Sequence, residues 1–301
     1  MDENAKKVHQ PSMSVDEQIE NLRLKGLIIN DVGYARSILE DISYFRLVKA
    51  YSLGLKAKNS NYDDNVRFED IVQLYLFDSN FRQALFPQIE KIEINLRCRL
   101  SNYFSEKYGI FGYENSNNFS ISDDVFQVFY HELEKEINRN SRKPFIKNFQ
   151  ESYDGGKVPF YALVEVMSFG TLSKFFKNMK REDKEEISLK YDVHYTYLES
   201  WLENLSYVRN VCAHYGRIYN AKMIKMPRLY RKYTKAGVAN CRIFASLLII
   251  RRLLPKDRSW DNFVQTIELL IEKYPHVKLH CLGFPKNWND LLSCVDNYSV
   301  S

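Results

Sequence analysis

The chain has 301 residues, of which 45% are apolar, 14% aromatic and 27% charged, a globular balance that excludes the disordered, collagen-like and disulfide-scaffold classes. Its 11 glycines and 8 prolines fall well below average usage of roughly 7% and 5%, which favours helices over many-turned β architectures. The 43 basic and 38 acidic residues leave a formal charge of +5, too mild over the whole chain to name a partner.

The five cysteines (Cys98, Cys212, Cys241, Cys281 and Cys294) are odd in number and widely spaced. With no C-x-x-C pair among them, neither a disulfide framework nor a thiolate zinc site is indicated, and a reducing, cytoplasmic setting is expected. The most apolar window, Ile243 to Leu254, is twelve residues long and contains Arg251 and Arg252, well short of the ~20 needed to span a bilayer. It reads as a core helix, so no membrane role is expected. The first residues carry acids and no apolar stretch, unlike a signal or transit peptide.

In chain order, a polar tail precedes Ser14-Val15-Asp16-Glu17, which has the S-x-x-E form of a capping box; the helix it starts can stop at Gly26. Asn30 or Asp31 can cap a second helix through Leu39, and a third apolar stretch runs from Ile42 to Leu47. The turn-rich NSNYDDN at 59–65 marks a boundary. From Phe68, the apolar residues Leu74, Phe77, Phe81, Leu85, Ile89, Ile92, Leu96, Leu100 and Tyr103 recur every three or four positions. That spacing predicts one long helix of about ten turns, with Pro87 as a kink point. Further helices are expected at 123–138, 144–151, 159–168, 171–190, 195–219, 237–254 and 260–273, separated by connectors at 114–122, 154–156, 169–170 and 255–259. No strand pair or repeat is evident, so the chain reads as all-α.

The most informative segment is WLENLSYVRNVCAHYGRIYN, residues 201–220. On an ideal helix at about 100° per residue, Leu205, Val208, Cys212, Tyr215 and Tyr219 fall within about 40° of Trp201 and form a buried stripe. Asn210, His214 and Arg217 fall at roughly 180°, 220° and 160°, an outward polar row, whereas Arg209 lies on the flank at about 80°. From Asn204 through Lys256 there is no Asp or Glu in 53 residues, against twelve Lys and Arg. That segment is +12 and the remainder −7. A basic run interleaved with Tyr215, Tyr219, Tyr230 and Tyr233 suits phosphate contacts and base stacking, the usual way of holding single-stranded RNA. A merely soluble surface would mix both signs.

Arg209-Asn210-x-x-x-His214 fits the R-x(4–6)-H signature of HEPN ribonucleases, and VRNVCAHYGRIYN resembles the RN-x-x-AH-x-x-R-x-x-N block of the Abi-like abortive-infection proteins, the AbiD and AbiF group. ISYFRL (42–47), the 74–97 stretch and VPFYALVEVMSFGTLS (158–173) are similar to three further blocks of that family, in the same order. Phe160 or Tyr161 stands where Trp is common, and Tyr215 where a second His often follows the first. The resemblance implies a HEPN-type helical bundle with added terminal helices. The expected layout is a disordered tail at 1–13, an N-terminal helical segment at 14–60, a HEPN-like core at 61–255 and a C-terminal helical extension at 256–301.

The resemblance also implies a metal-independent endoribonuclease, without cofactor, acting in anti-phage abortive infection or as a toxin-like effector. Histidine can exchange protons near neutral pH, and arginine stays charged and grips two phosphate oxygens. The expected catalytic set is His214 as acid or base, Arg209 as phosphate stabiliser and Asn210 as an orienting group. Arg217, Lys222, Lys225, Arg228, Arg231 and Lys232 are the expected RNA contacts. Since the chain carries one motif, a homodimer would complete the site, and a small structured regulatory RNA is a further candidate partner. The alternative is a non-catalytic module docking a structured RNA on the same basic face; a third reading is a scaffold that dimerises through it. Glu165 is read as a partner for a cation of the site or as a structural carboxylate. Glu93 and Arg97 read as an i, i+4 helix salt bridge. His276, His280 and Cys281 have ligand-like spacing but no completing residue, so no metal site is expected.

Overall fold

The computed structural model describes residues 11–57, 61–254 and 259–293. The expectations for the tail before residue 11, for Lys256 with its connector up to residue 258, for the boundary residues Asn59 and Ser60, and for Cys294 lie outside them. The fold is all-α: among the described residues there is no β-strand, only three isolated bridge pairs. The chain divides into two compact units, one formed by residues 1–80 and 270–277, the other by 81–269 and 278–301.

The first unit begins as the sequence predicts. Glu17 N–H donates to Ser14 Oγ (3.3 Å) and Ser14 N–H to Glu17 Oε2 (2.7 Å), closing a capping box on α1, Val15–Leu24. Gly26 follows at φ +83°, a conformation that costs glycine little. Asp31 caps α2, Val32–Asp41, by accepting from Tyr34 N–H. The third apolar stretch becomes a π-helical turn, Phe45–Lys49, that buries Leu47 and Val48. Tyr274 joins the returning segment to this unit, packing edge-on to Phe77 at 6.0 Å and accepting from Asn80.

Helix α3 runs from Phe68 to Tyr108 as one element, with Pro87 inside it. In the second unit its buried stripe is Phe81, Leu85, Ile89, Ile92, Leu96, Leu100 and Phe104. Phe104, rather than the expected Tyr103, ends the stripe; it meets Phe119, Phe160 and Phe175 with ring centroids 4.9–5.5 Å apart. Helices α4 (Asp123–Arg139), α5 (Pro144–Ser152) and α6 (Phe160–Val166) follow. The single helix expected over 171–190 is instead two, α7 (Phe169–Asn178) and α8 (Arg181–Leu189). The first of these starts inside the expected Phe169-Gly170 connector, because Ser168 is an N-cap whose hydroxyl accepts from Thr171 N–H. The buried Glu136 carboxylate from α4 accepts from Ser168 N–H and Thr171 Oγ1, supplying a negative charge where the helix leaves donors unmet.

Asp183, on α8, is fully buried and accepts from Tyr103, Tyr108 and Lys107. Burial first, then the bond to Asp183, pushes the Tyr103 hydroxyl up to about 12. A folded-state value raised above the ordinary ~10 stabilises the fold fully below pH ~10, and that contribution is lost as pH rises through about 12. Tyr103→Phe should therefore soften alkaline unfolding between these limits, read by circular dichroism along a pH titration; an unaltered profile would rule this contribution out.

Helix α9, Tyr195–Ala213, packs against α7, α8 and α11, and buries Leu198, Trp201, Leu202, Leu205, Val208 and Cys212. It ends six residues short of the expected 219. The helix expected over 237–254 is the shorter α11 (Ile243–Leu253), and before it lies a one-turn α10 (Arg231–Lys235) that was not expected. Here the breaker is Gly237 at φ +82°. Helix α12, Ser259–Lys273, and α13, Trp288–Ser293, complete the chain. No helix among the described residues is long and apolar enough to cross a membrane.

Candidate functional site at the end of helix α9

The end of α9 is a two-bond cap. His214 is the C-cap, its backbone N–H donating to Asn210 O at 3.0 Å; Tyr215 N–H donates to Cys212 O (3.2 Å) and Gly216 N–H to Val211 O (2.7 Å). This is the Schellman pattern, which satisfies carbonyls the helix end would otherwise leave open. Its left-handed position usually holds glycine, but here holds Tyr215 at φ +57°, with glycine displaced by one to 216. Gly216 is needed for a different reason: a Cβ there would stand 3.0 Å from Val211 Cγ1 and 3.2 Å from Val211 O. Gly216→Ala should cost about 1–2 kcal/mol through this overpacking, measurable by denaturant unfolding; an unshifted midpoint would contradict the cap.

This cap corrects the helical wheel. Beyond residue 213 the ideal-helix angles no longer apply, so Asn210, His214 and Arg217 do not form one row. Tyr215 was expected in the buried stripe and is 69% exposed. Arg217 folds back to donate to Tyr219 O (3.1 Å) and Asn220 O. Tyr219 is buried, though from the loop, and its hydroxyl accepts from Lys278 N–H. Asn210 and His214 are exposed, and the His214 imidazole makes no hydrogen bond or ion pair among the described residues.

Arg209 is the best-supported side chain of the set. Its guanidinium lies 3.5 Å from Glu93 Oε2, 5.9 Å from the centre of the Phe86 ring, and donates to Asn210 Oδ1 at 3.3 Å. Glu93 is nearly buried and also pairs with Arg97, whose other nitrogen donates to Val164 O. One buried carboxylate on α3 thus holds two arginines, one of them anchored to the end of α6. Sequence reasoning read Glu93 only as a local i, i+4 partner of Arg97. That pair is present, but nothing in the spacing pointed to Arg209. Glu165, the other acid considered, is exposed and pairs with no cation among the described residues; the backbone carbonyl of its neighbour Val164 is what reaches Arg97.

Space also redistributes the charge. Lys225 pairs with Glu203 at 2.5 Å, and Arg252 with Asp192 at 2.9 Å. Arg228 shares a shallow cavity of about 210 Å³ with Thr196, Glu199, Ser200 and Glu203. Arg242 donates to Asn220 Oδ1, Ala221 O and Cys281 O. Lys232 lies over the Tyr233 ring at 4.8 Å. Lys222 and Arg231 remain exposed with side chains that touch no acid among the described residues. The loop carrying these cations is tied to α9: Trp201 Nε1 donates to Arg228 O, Asn204 Nδ2 to Lys225 O, and Arg228 N–H to Ser200 Oγ. Tyr233 is buried, and Tyr230 is tilted against Tyr197 at 4.5 Å and edge-on to Trp201.

His276 pairs with Asp70 at 3.3 Å, and His280 lies 3.6 Å from Cys281 Sγ. Among the described residues no group of three His, Cys, Asp or Glu side chains is placed to hold a metal ion, and the four described cysteines are free thiols.

A family model described as Abi-like protein matches residues 37–220, more than half of the chain. The match takes in α3 to α9 and the cap that follows, and stops before Lys222. No curated protein and no solved structure matches the chain.

Proposed function

Since the chain belongs to the Abi-like protein family, we propose that it is a HEPN-type endoribonuclease of anti-phage abortive infection, with a toxin-like mode of action. The observation that carries this reading is the convergence at the end of α9. Arg209 is held by Glu93, Asn210 follows it, and one turn on His214 presents a solvent-facing imidazole.

RNA brings its own nucleophile. The ribose 2′-oxygen loses its proton and bonds to the adjacent phosphorus; the bond to the 5′-oxygen breaks, and that oxygen takes up a proton. The products are a 2′,3′-cyclic phosphate and a 5′-hydroxyl, with no net change in atoms or electrons. His214 moves the proton, and in a homodimer the partner's His214 serves the opposite side of the reaction, one taking and one giving. Arg209 stabilises the charge that gathers on the phosphorane oxygens, where pre-oriented cations act most strongly. Asn210 fixes the Arg209 fork from one side while Glu93 fixes it from the other. Among the expected RNA contacts, the exposed Lys222, Arg228 and Arg231 are suited to flanking phosphates, whereas Arg217 and Lys225 already meet protein groups.

The test is incubation of end-labelled RNA with purified protein, with and without EDTA, followed by analysis of the product ends. Cleavage insensitive to EDTA with cyclic-phosphate ends supports the reading. Tight binding without cleavage would replace it with the non-catalytic RNA-docking module.

A further inference from the structure

Between residues 140 and 170 the large apolar side chains left exposed are Phe145, Tyr153 and Tyr161, and all three are rings. Phe145 and the half-buried Phe149 stand one turn apart on α5, and Tyr153 follows one turn later at its C-cap. At 1.5 Å of rise per residue they make a ridge of about 12 Å. Phe149 joins it to α6: its ring centroid lies 5.0 Å from Tyr153, tilted at 48°, and 6.1 Å from Tyr161, edge-on at 72°. Helix α5 contributes little to the core, burying Ile146 alone. Tyr153 and Tyr161 are 57% and 47% exposed, so Phe149 supports two rings that remain accessible to solvent.

Exposed rings serve protein interfaces as well as nucleic acids, and the charge beside them selects between the two. Residues 137–150 contain four Lys and Arg and no Asp or Glu. Arg139 leans on Glu136 at 3.8 Å and Lys147 on Glu151 at 3.7 Å, whereas Arg142 and Lys143, exposed at the start of α5, meet no acid among the described residues. Asp154 is the one acid of residues 137–158 without a cation. A ridge of rings with no exposed aliphatic neighbour, and two uncommitted cations at its start, suits bases and phosphates in alternation. The ridge also adjoins the carboxylate corner that holds Arg209. Val164, three residues after Tyr161 on α6, gives its carbonyl to Arg97, which shares Glu93 with Arg209. Less than one turn of α6, about 4.5 Å of rise, separates Tyr161 from that anchor.

We propose that Tyr153 and Tyr161 form a stacking platform for unpaired bases of single-stranded RNA, with Arg142 and Lys143 holding the adjoining phosphates. The inference rests on the ribonuclease reading for the identity of the ligand. A duplex keeps its bases stacked inside, so the rings add affinity for single strands, whereas the two cations attract either form.

The experiment compares full-length wild type with Tyr153→Leu, Tyr161→Leu, the corresponding phenylalanine variants and the double variant Arg142→Gln, Lys143→Gln. The probes are a twelve-nucleotide single-stranded 2′-O-methyl RNA, which lacks the attacking hydroxyl, and a duplex of the same length. Each leucine variant should bind the single strand about 5- to 100-fold more weakly, the usual range for one lost stack, with duplex affinity and thermal midpoint as in wild type. Each phenylalanine variant should restore single-strand affinity to within about twofold of wild type. The double variant should weaken both probes and flatten the log–log salt slope for the single strand by about 0.7 per cation removed. In cleavage the loss should appear in KM rather than in kcat, because stacking holds substrate and transition state alike. Unchanged single-strand affinity in both leucine variants overturns the proposal. So does a loss shared equally by the two probes, a fall in kcat alone, or a shift in oligomeric state at constant RNA affinity, which would assign the ridge to a contact between protein copies. If wild type cleaves RNA and the leucine variants bind normally, only the platform fails. If wild type binds the single strand through these rings but cleaves nothing, the platform stands and the ribonuclease reading falls. If wild type neither binds nor cleaves RNA, both fall.

Discussion

His214→Ala is expected to abolish RNA cleavage and leave the folded protein otherwise intact. A positioned acid or base contributes about 10²–10⁴-fold to a proton-transfer reaction, so residual activity should fall to or below a hundredth of wild type. The fold should survive because the imidazole is exposed and makes no hydrogen bond or ion pair among the described residues. The cap is made by the His214 backbone N–H, which alanine retains. Exposed substitutions of this kind usually stay within about 0.5 kcal/mol. Binding of a 2′-O-methyl oligonucleotide should be preserved too, since phosphate attraction comes from the cations. Wild-type cleavage by His214→Ala would remove the histidine from the chemistry and with it the proposed reaction.

Glu93→Ala is expected to be among the most destabilising single changes near the site, costing about 3 kcal/mol in denaturant unfolding. Removing one member of a buried ion pair leaves the other charge uncompensated, at about 3–5 kcal/mol; the lower figure applies because the Arg209 side chain is 34% exposed and can partly rehydrate. Arg97, at 14%, cannot easily do so. Glu93→Gln separates structure from function: it keeps the shape and one acceptor oxygen but gives up the charge that holds both arginines. It should lose less stability than alanine while lowering kcat more than it raises KM, because Arg209 would be misaligned rather than lost. Glu93→Ala unfolding within 0.5 kcal/mol of wild type would show that the carboxylate does not organise this corner.

The two predictions draw on different kinds of information. His214 is legible in the linear sequence, through its spacing from Arg209 and Asn210 and the blocks around it. Glu93 was legible only as a helix neighbour of Arg97, since its link to Arg209 joins α3 to α9 across a long stretch of chain. The cap was misread for a local reason: the 3.6-residue period carried the helix through Gly216 to Tyr219, because Tyr215 and Tyr219 fit that period as well as Leu205 and Cys212 do. The displaced glycine was the available signal, and it was masked because glycine usually marks the left-handed residue itself, which here is Tyr215.

The charge pattern was misleading in a related way. A run of 53 residues without an acid reads as a basic face only if the run's neighbours in space are also its neighbours in sequence. Helices α3 and α9 bring Glu93 and Glu203 against Arg209 and Lys225, and half-buried arginines such as Arg217 and Arg242 meet loop carbonyls rather than solvent.

What the sequence by itself determined is the all-α class, the capping box at Ser14, the stripe of α3 and the Arg209-Asn210-His214 motif, all set by interactions within a few residues along the chain. The tertiary structure alone decided which carboxylate holds Arg209, where α9 stops, and which basic side chains meet an acid. These depend on packing between distant elements, where burial makes an ion pair or an unmet carbonyl costly to leave alone, and no one-dimensional period records that cost.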